Sequence, residues 1–493
     1  MRKNRESVDG HWPERGSADS SVDARAAGAD GPQALVIGGG LAGITSALVL
    51  SERGWQVTLV EARPRLGGRA TSYQRGELTV DNGQHVFLRC CTAYRGLLER
   101  LDAGPSSGLS VLQDRLDIPL RAPDGATARL KRTGAPAPFH LAGSLAGYGL
   151  LPLRDRSKLG RAALALRFTD PADPKVDAQG FGPFLRKRGQ SADAVNRLWS
   201  VISTATLNID PDAASLALAA KVFRTGLLED STGSDLGYAA VPLGEIHDTR
   251  ARAALKDQGV DVRDSTKVLS LGSDLTARLR TRDEGELTLR PDAVVLAVPH
   301  DVAAELLPAE VPRPFAGLGH SPIMNVHVRY DRQVLDGPFL AGVDSPAQWI
   351  FDRTGPTGLD GAGRYIAVTV SAADAFIERP VAELRSLFEN ELARLLPAAR
   401  GAQVEEFFVT REKHATFRQA SGSAAVRPGP ATPVPGLYLA GAWTATGWPD
   451  TMESAVRSGI SAARVAQEHR VDGSHPRRAG AGHGPDEENS HPH

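Results

Sequence analysis

The chain has 493 residues, 41% apolar and 23% charged, which suits two or three packed domains and excludes a largely disordered or collagen-like protein. Lys+Arg 57 against Asp+Glu 58 leaves a net charge of -1, which argues against a nucleic-acid partner. The two cysteines, Cys90 and Cys91, are adjacent, so neither a disulfide framework nor a spaced metal-ligand set is expected.

Residues 1–32 read as a polar disordered tail, and 471–493, with several histidines, read the same way. No long apolar run and no signal-peptide core is seen, so a cytoplasmic protein is expected, soluble or peripheral on the inner face of the membrane. Ala34-Leu35-Val36-Ile37 is a short β-branched apolar run, suited to a strand buried on both faces. Gly38-Gly39-Gly40-Leu41-Ala42-Gly43 follows, and then Ile44, Ala47, Leu48 and Leu50 fall at helical spacing up to Gly54. Val57-Thr58-Leu59-Val60 is a second strand, closed by Glu61. The whole is a βαβ unit of about thirty residues.

Each glycine of the G-x-G-x-x-G pattern has a mechanical task. Gly38 permits the tight turn, Gly40 lets backbone approach a pyrophosphate, and Gly43 lets the helix pack on the sheet. The helix N-terminus offers unpaired N–H groups to phosphate, and Glu61 can accept from ribose hydroxyls. Arg63-Pro64-Arg65-Leu66-Gly67-Gly68-Arg69 then brings a second glycine pair and three cations toward the same phosphates. Later strands are expected at Val260–Val262, near Lys267-Val268-Leu269, at Ala293–Val298 and at Leu437–Ala440, with a helix from about Thr451.

The fingerprint, the Gly67-Gly68-Arg69 element and a distant Gly441-Ala442-Trp443 with Glu453-Ser454-Ala455 together resemble the flavin-containing amine oxidase and phytoene desaturase superfamily. The resemblance spans about 34 to 467. Asp81-Asn82-Gly83-Gln84-His85, the Phe87–Tyr94 stretch and Gly441–Pro449 are similar to its squalene-associated branch, the hydroxysqualene dehydroxylases. It implies FAD as cofactor and reductive conversion of hydroxysqualene, or a similar long isoprenoid, to squalene. The implied fold is α/β: a Rossmann-like FAD-binding domain (33–95, 236–300 and 421–470) with a discontinuous mixed α+β substrate domain (96–235 and 301–420). A carotenoid desaturase is the alternative. An amine oxidase is disfavoured, because Ser321–Tyr330 has no lysine where that family carries one near the flavin. No motif names the electron donor.

The resemblance places Gly38, Gly40, Gly43, Glu61, Arg63, Gly67, Gly68, Arg69, Val268, Gly441, Ala442, Thr451 and Met452 at the cofactor. Val268 would meet the adenine through its backbone. Four residues are candidates for the chemistry, which needs a proton donor, a positioned hydroxyl and a dry apolar tunnel. His85 is either a proton donor or structural, and Gln84 either orients the hydroxyl or braces a turn. Asp450 is either an acid or simply the N-cap of the last helix, with Glu453 completing a capping box. Trp448 is either a cavity wall or core. Cys90 and Cys91 read as small packing residues. Leu141, Leu145, Tyr148 and Leu151, followed by Arg154, Arg156, Lys158 and Arg161, suit either a core segment or an interfacial anchor on a membrane surface.

Overall fold

The computed structural model describes residue 12 and residues 31–471 except 284. The calls made above for the two terminal tails therefore lie outside the described residues, apart from Trp12. That indole is not free of the fold. Its Nε1 donates to the Ala93 carbonyl at 2.7 Å, and the Arg100 guanidinium covers its ring at 4.0 Å.

A five-stranded parallel sheet carries the fingerprint. Its order is Asp261–Arg263, Gln56–Val60, Gln33–Ile37, Ala293–Leu296, Leu437–Leu439. Its central strands are apolar throughout because both faces are covered, one by helices and the other by the three-stranded sheet Lys267–Leu271, Ala277–Arg280, Glu286–Leu289: Leu35, Val36, Val294 and Val295 are all buried. The fingerprint helix Leu41–Glu52 and the C-terminal helix Met452–Val471 pack on one face. They cross where Gly459 meets Ala42; a Cβ on Gly459 would come within 2.4 Å of the Ala42 carbonyl oxygen. The Ser46 hydroxyl joins the crossing by donating to the Ala42 and Gly459 carbonyls.

A seven-stranded sheet lies apart from it, in the order Val404–Phe417, His320–Tyr330, Tyr365–Val370, Trp349–Asp352, Phe339–Gly342, Asp117–Arg121, Thr127–Lys131. Its strands come from two widely separated stretches, and all neighbours are antiparallel except Phe339–Gly342 with Asp117–Arg121. The helix Val381–Leu395 lays Leu384, Phe388, Leu392 and Leu395 against it. Those positions follow helical spacing, so one stripe is apolar and the rest faces solvent. A third core joins helices from 153–223 to the near end of this sheet around Phe181, Trp199, Phe223, Phe339 and Phe351.

The 141–153 segment differs from a continuous anchor helix. Its glycines break it into a five-residue helix, Ala142–Ala146, before the longer helix Leu153–Arg167. Leu141, Tyr148 and Leu151 point into the core. Exposed apolar residues lie instead on the following helix: Leu153, Leu164 and the adjoining Phe168, opposite its buried Leu159, Ala162 and Leu166.

Candidate active site

The cradle is built from backbone. Gly38 turns out of its strand at φ +108°, where a Cβ would sit 2.5 Å from the Ala297 carbonyl oxygen. A Cβ on Gly43 would come within 1.8 Å of the Gly38 carbonyl oxygen, so only glycine lets the helix approach. Gly40 is different: the space its Cβ would take is open, with Gly68 Cα nearest at 3.9 Å. It lies beside the Gly67-Gly68 turn, and Gly67 N donates to the Gly39 carbonyl at 2.9 Å. No side chain caps the fingerprint helix. An open glycine floor under uncapped N–H groups fits a pyrophosphate.

Glu61 ends its strand half-buried. Its carboxylate accepts from Gly39 N at 2.7 Å and from Arg63 N at 2.9 Å. The backbone leading to Val268 runs beside it, with Thr266 N donating to the Glu61 carbonyl and Ser265 N to the Arg63 carbonyl. So Glu61, Arg63 and the Val268 strand meet, although 205 or so residues separate them in sequence. Val268 itself is buried at a register shift in its strand.

The distal motif closes the other side. Gly441 adopts φ +142°, and its N–H donates to the Ser458 hydroxyl at 2.8 Å. Arg427 holds the loop from beneath: its guanidinium donates to the carbonyls of Ala442, Trp443 and Thr444. Burial drops its pKa to about 10, so it stays charged at neutral pH. Sequence reasoning missed Arg427.

The expected capping box does not form. Thr451 caps the C-terminal helix, its hydroxyl accepting from Ser454 N at 3.3 Å. The Asp450 carboxylate accepts from Phe417 N at 2.8 Å instead, and Asp450 N donates to the Gln419 side chain. Glu453 turns away from its own helix and caps another. Its oxygens accept from Ala93 N and Tyr94 N, at the start of the helix Thr92–Arg100, and from Arg457. A buried carboxylate there satisfies free N–H groups and the positive end of the helix dipole. Met452 packs against the core that this helix shares with the fingerprint helix.

Burial holds the Asp450 carboxyl above its ordinary pKa, against the opposing pull of Arg69, the Phe417 amide and Arg427. Trp448 stands between two cations, Lys221 at 4.7 Å and Arg457 at 4.8 Å from its ring centre. Burial and the neighbouring Arg457 lower the Lys221 pKa.

Gln84 and His85 line a separate small cleft with Val86, Tyr238, Leu243, Phe351 and Arg353. Its floor is a buried ion pair: Arg353 donates to Asp81 at 2.8 Å and to the Ala239 and Val241 carbonyls. The His85 Nδ1 lies 3.1 Å from the Gly83 carbonyl. Burial pushes its imidazole below the ordinary value, over the opposing pulls of Gly83, Asp81 and Glu412. The geometry thus pairs Gln84 with His85, and places Asp450 and Trp448 on a different wall. Asn82 ties this turn to the seven-stranded sheet, its carbonyl accepting from the buried Asn325 side chain at 3.0 Å. Asn325 lies in the strand where a lysine would be expected of an amine oxidase. Behind the turn stands His247, also missed by sequence reasoning. It bridges the Tyr94 hydroxyl and the Ala70 carbonyl, and burial lowers its pKa to about 4. Cys90 and Cys91 are free thiols. The neighbouring Cys90 thiol and burial hold Cys91 well above its ordinary pKa, so it has no thiolate character.

A parallel sheet with a glycine cradle, an acidic strand end and a second glycine turn defines an FAD-dependent oxidoreductase. A family model described as flavin containing amine oxidoreductase matches residues 41–466. The hydroxysqualene dehydroxylase of Rhodopseudomonas palustris is 30% identical over 449 residues, covering 87% of this chain and 96% of the relative. That of Sinorhizobium fredii is 29% identical over 441 residues, covering 87% and 97%. A putrescine oxidase structure superposes with a TM-score of 0.66 at 20% identity, covering 89% of this chain and 99% of that one, and shares the fold. The chain belongs to the flavin containing amine oxidoreductase family, in its hydroxysqualene dehydroxylase branch.

Proposed function

We propose that the chain replaces the allylic hydroxyl of hydroxysqualene by hydrogen, giving squalene and water. The observation that carries this reading is full-length similarity to relatives bearing that name. Gly38, Gly40, Gly43, Glu61, Arg63, Gly67, Gly68, Arg69, Val268, Gly441, Ala442, Thr451 and Met452 would hold FAD, which when bound and reduced would supply the hydride. A proton must meet the departing hydroxide, because hydroxide alone is a poor leaving group. Asp450 is the better donor of the two candidates: its carboxyl is held toward the protonated form, whereas the His85 ring is held toward the neutral form. Gln84 and His85 stand apart from Asp450, in a cleft with Val86, Tyr238, Leu243 and Phe351, where they brace the Asp81–His85 turn. Trp448 takes the role of a wall, its ring engaged by Lys221 and Arg457. The flavin domain is 33–95, 236–300 and 421–470, and the remainder of 96–420 is the substrate domain.

The substrate is a lipid, and no described helix is long and apolar enough to cross a membrane. Leu153, Leu164 and Phe168 share one exposed face with Arg154, Lys158 and Arg161, which suits docking on an anionic bilayer surface. Co-sedimentation with anionic vesicles at low salt should be lost in Leu164→Asp with Phe168→Asp; vesicles that never bind the parent protein would refute this docking.

The activity is tested by incubating dithionite-reduced holoenzyme with hydroxysqualene and extracting the lipids. Squalene is the expected product. An untouched alcohol, together with extra double bonds introduced into squalene by the oxidised enzyme, would contradict the reading in favour of a desaturase.

A further inference from the structure

A cluster outside the proposed chemistry joins the two sheets. His300 and Asp301 open the helix His300–Leu306, which follows the Ala293–Leu296 strand of the parallel sheet. His320 begins the His320–Tyr330 strand of the seven-stranded sheet, and His414 lies on the adjacent strand Val404–Phe417. Asp301 Oδ2 lies 3.4 Å from His320 Nε2 and 3.5 Å from His414 Nδ1. The His320 and His414 rings stack at 3.9 Å, and His300 and His320 sit 4.5 Å apart between ring centres. One ligand atom each from His300, Asp301 and His320 fall within 4.8 Å of one another.

The polar atoms here are poorly used as a hydrogen-bonded group. Asp301 Oδ1 accepts from Val302 N, but Oδ2 accepts no directed hydrogen bond among the described residues. His300 is 2% exposed. His320 turns Nε2 toward Asp301 and leaves its buried Nδ1 unpartnered on the other side of the ring. The spacings suit a cation. Bonds of about 2.0–2.1 Å in a tetrahedral zinc site put neighbouring ligand atoms about 3.3 Å apart. The 3.4 Å between Asp301 Oδ2 and His320 Nε2 matches that edge to within about 0.1 Å.

We propose that His300, Asp301 and His320 form a site for a first-row divalent cation such as Zn2+, tying the parallel sheet to the seven-stranded sheet. Imidazole nitrogens with one carboxylate select such an ion over Mg2+ or Ca2+, which prefer all-oxygen shells. The expectation of no metal site came from sequence spacing alone. Here the ligands come from two elements, and the interval between them matches no motif. Arg69 opposes a cation at this place, so the affinity rests on the Asp301 charge.

The test uses the full-length, FAD-loaded protein stripped with EDTA and titrated with ZnCl2 by calorimetry. The C-terminal His475, His483, His491 and His493 are replaced by Ala in the parent, so that the tail cannot supply the signal. One Zn2+ per chain is expected, with a rise in melting temperature. His320→Gln and Asp301→Asn should each weaken binding at least about tenfold. Both variants should retain the parent's FAD content, which shows that they are folded. No zinc uptake by the tail-substituted parent, or uptake unchanged in both variants, would overturn the proposal.

Discussion

The cofactor cradle and the catalytic walls are built by different means. The cradle is mostly backbone from one βαβ unit: Gly38, Gly40, Gly43 and Glu61 lie within 24 residues, and glycine is required by contacts as short as 1.8 Å. The walls are side chains brought together over long separations. Arg353 reaches Asp81 across 272 residues, and Glu453 caps Tyr94 across 359. A cradle of this kind fails by steric exclusion. A wall of this kind fails by loss of a charge or a proton.

The largest effect should come from filling the cradle. Gly43→Ala drives a methyl into the Gly38 carbonyl, and the purified protein should hold less than about a tenth of the parent's flavin, read from its absorbance. Normal flavin content would break the assignment of the fingerprint. Next comes the proton. Asp450→Asn should lower turnover by about 10²- to 10⁴-fold while leaving flavin content intact. The parent's rate should fall as pH rises through the Asp450 pKa, which lies above the ordinary carboxyl value, and the variant should lack that limb. A pH profile that moves with His85→Ala instead would transfer the acid role to histidine.

The third effect concerns stability. Asp235 is buried, with both oxygens taken by Arg132, Arg89 and Leu116 N. Burial alone would raise its pKa, but the two arginines outweigh it and hold the carboxyl low. Asp235→Ala should cost about 3–5 kcal/mol in urea unfolding, because two guanidinium groups lose their partner. Because the folded pKa is depressed, this stabilisation is present above the unfolded value of about 3.9 and is lost as pH falls through the folded one. Glu453→Gln should cost less, about 1–2 kcal/mol, since an amide oxygen still accepts from the Thr92–Arg100 helix. The smallest effect is expected at the thiols: Cys91→Ser should leave turnover within about twofold, as a thiol without thiolate character takes no part in redox chemistry.

The same contrast explains what the sequence made legible. The parallel sheet and its fingerprint were readable because every signal is local: strand, glycine turn, helix, acid. Observed strands differ from expectation only at their ends, as with Ala293–Leu296 in place of Ala293–Val298. Asp450 and Glu453 read from their spacing as a capping box, but each carboxylate serves another element. Spacing along a helix shows which N–H groups are near and not which distant helix needs an acceptor. Arg427, His247 and Arg353 gave no signal, because their partners are fixed by the packing of the two sheets. The exposed apolar residues lie one element later than expected for a similar reason. Glycines at 143, 147 and 149 ended the helix early, and the exposed apolar face fell on the residues after it.

The most direct test of the central claim is an anaerobic single turnover. The holoenzyme is reduced with one equivalent of dithionite, freed of excess reductant and mixed with hydroxysqualene. Flavin absorbance is followed while lipids are extracted at intervals. The expected result is reoxidation in step with squalene, one squalene per flavin. A flavin that stays reduced beside unchanged hydroxysqualene would contradict it.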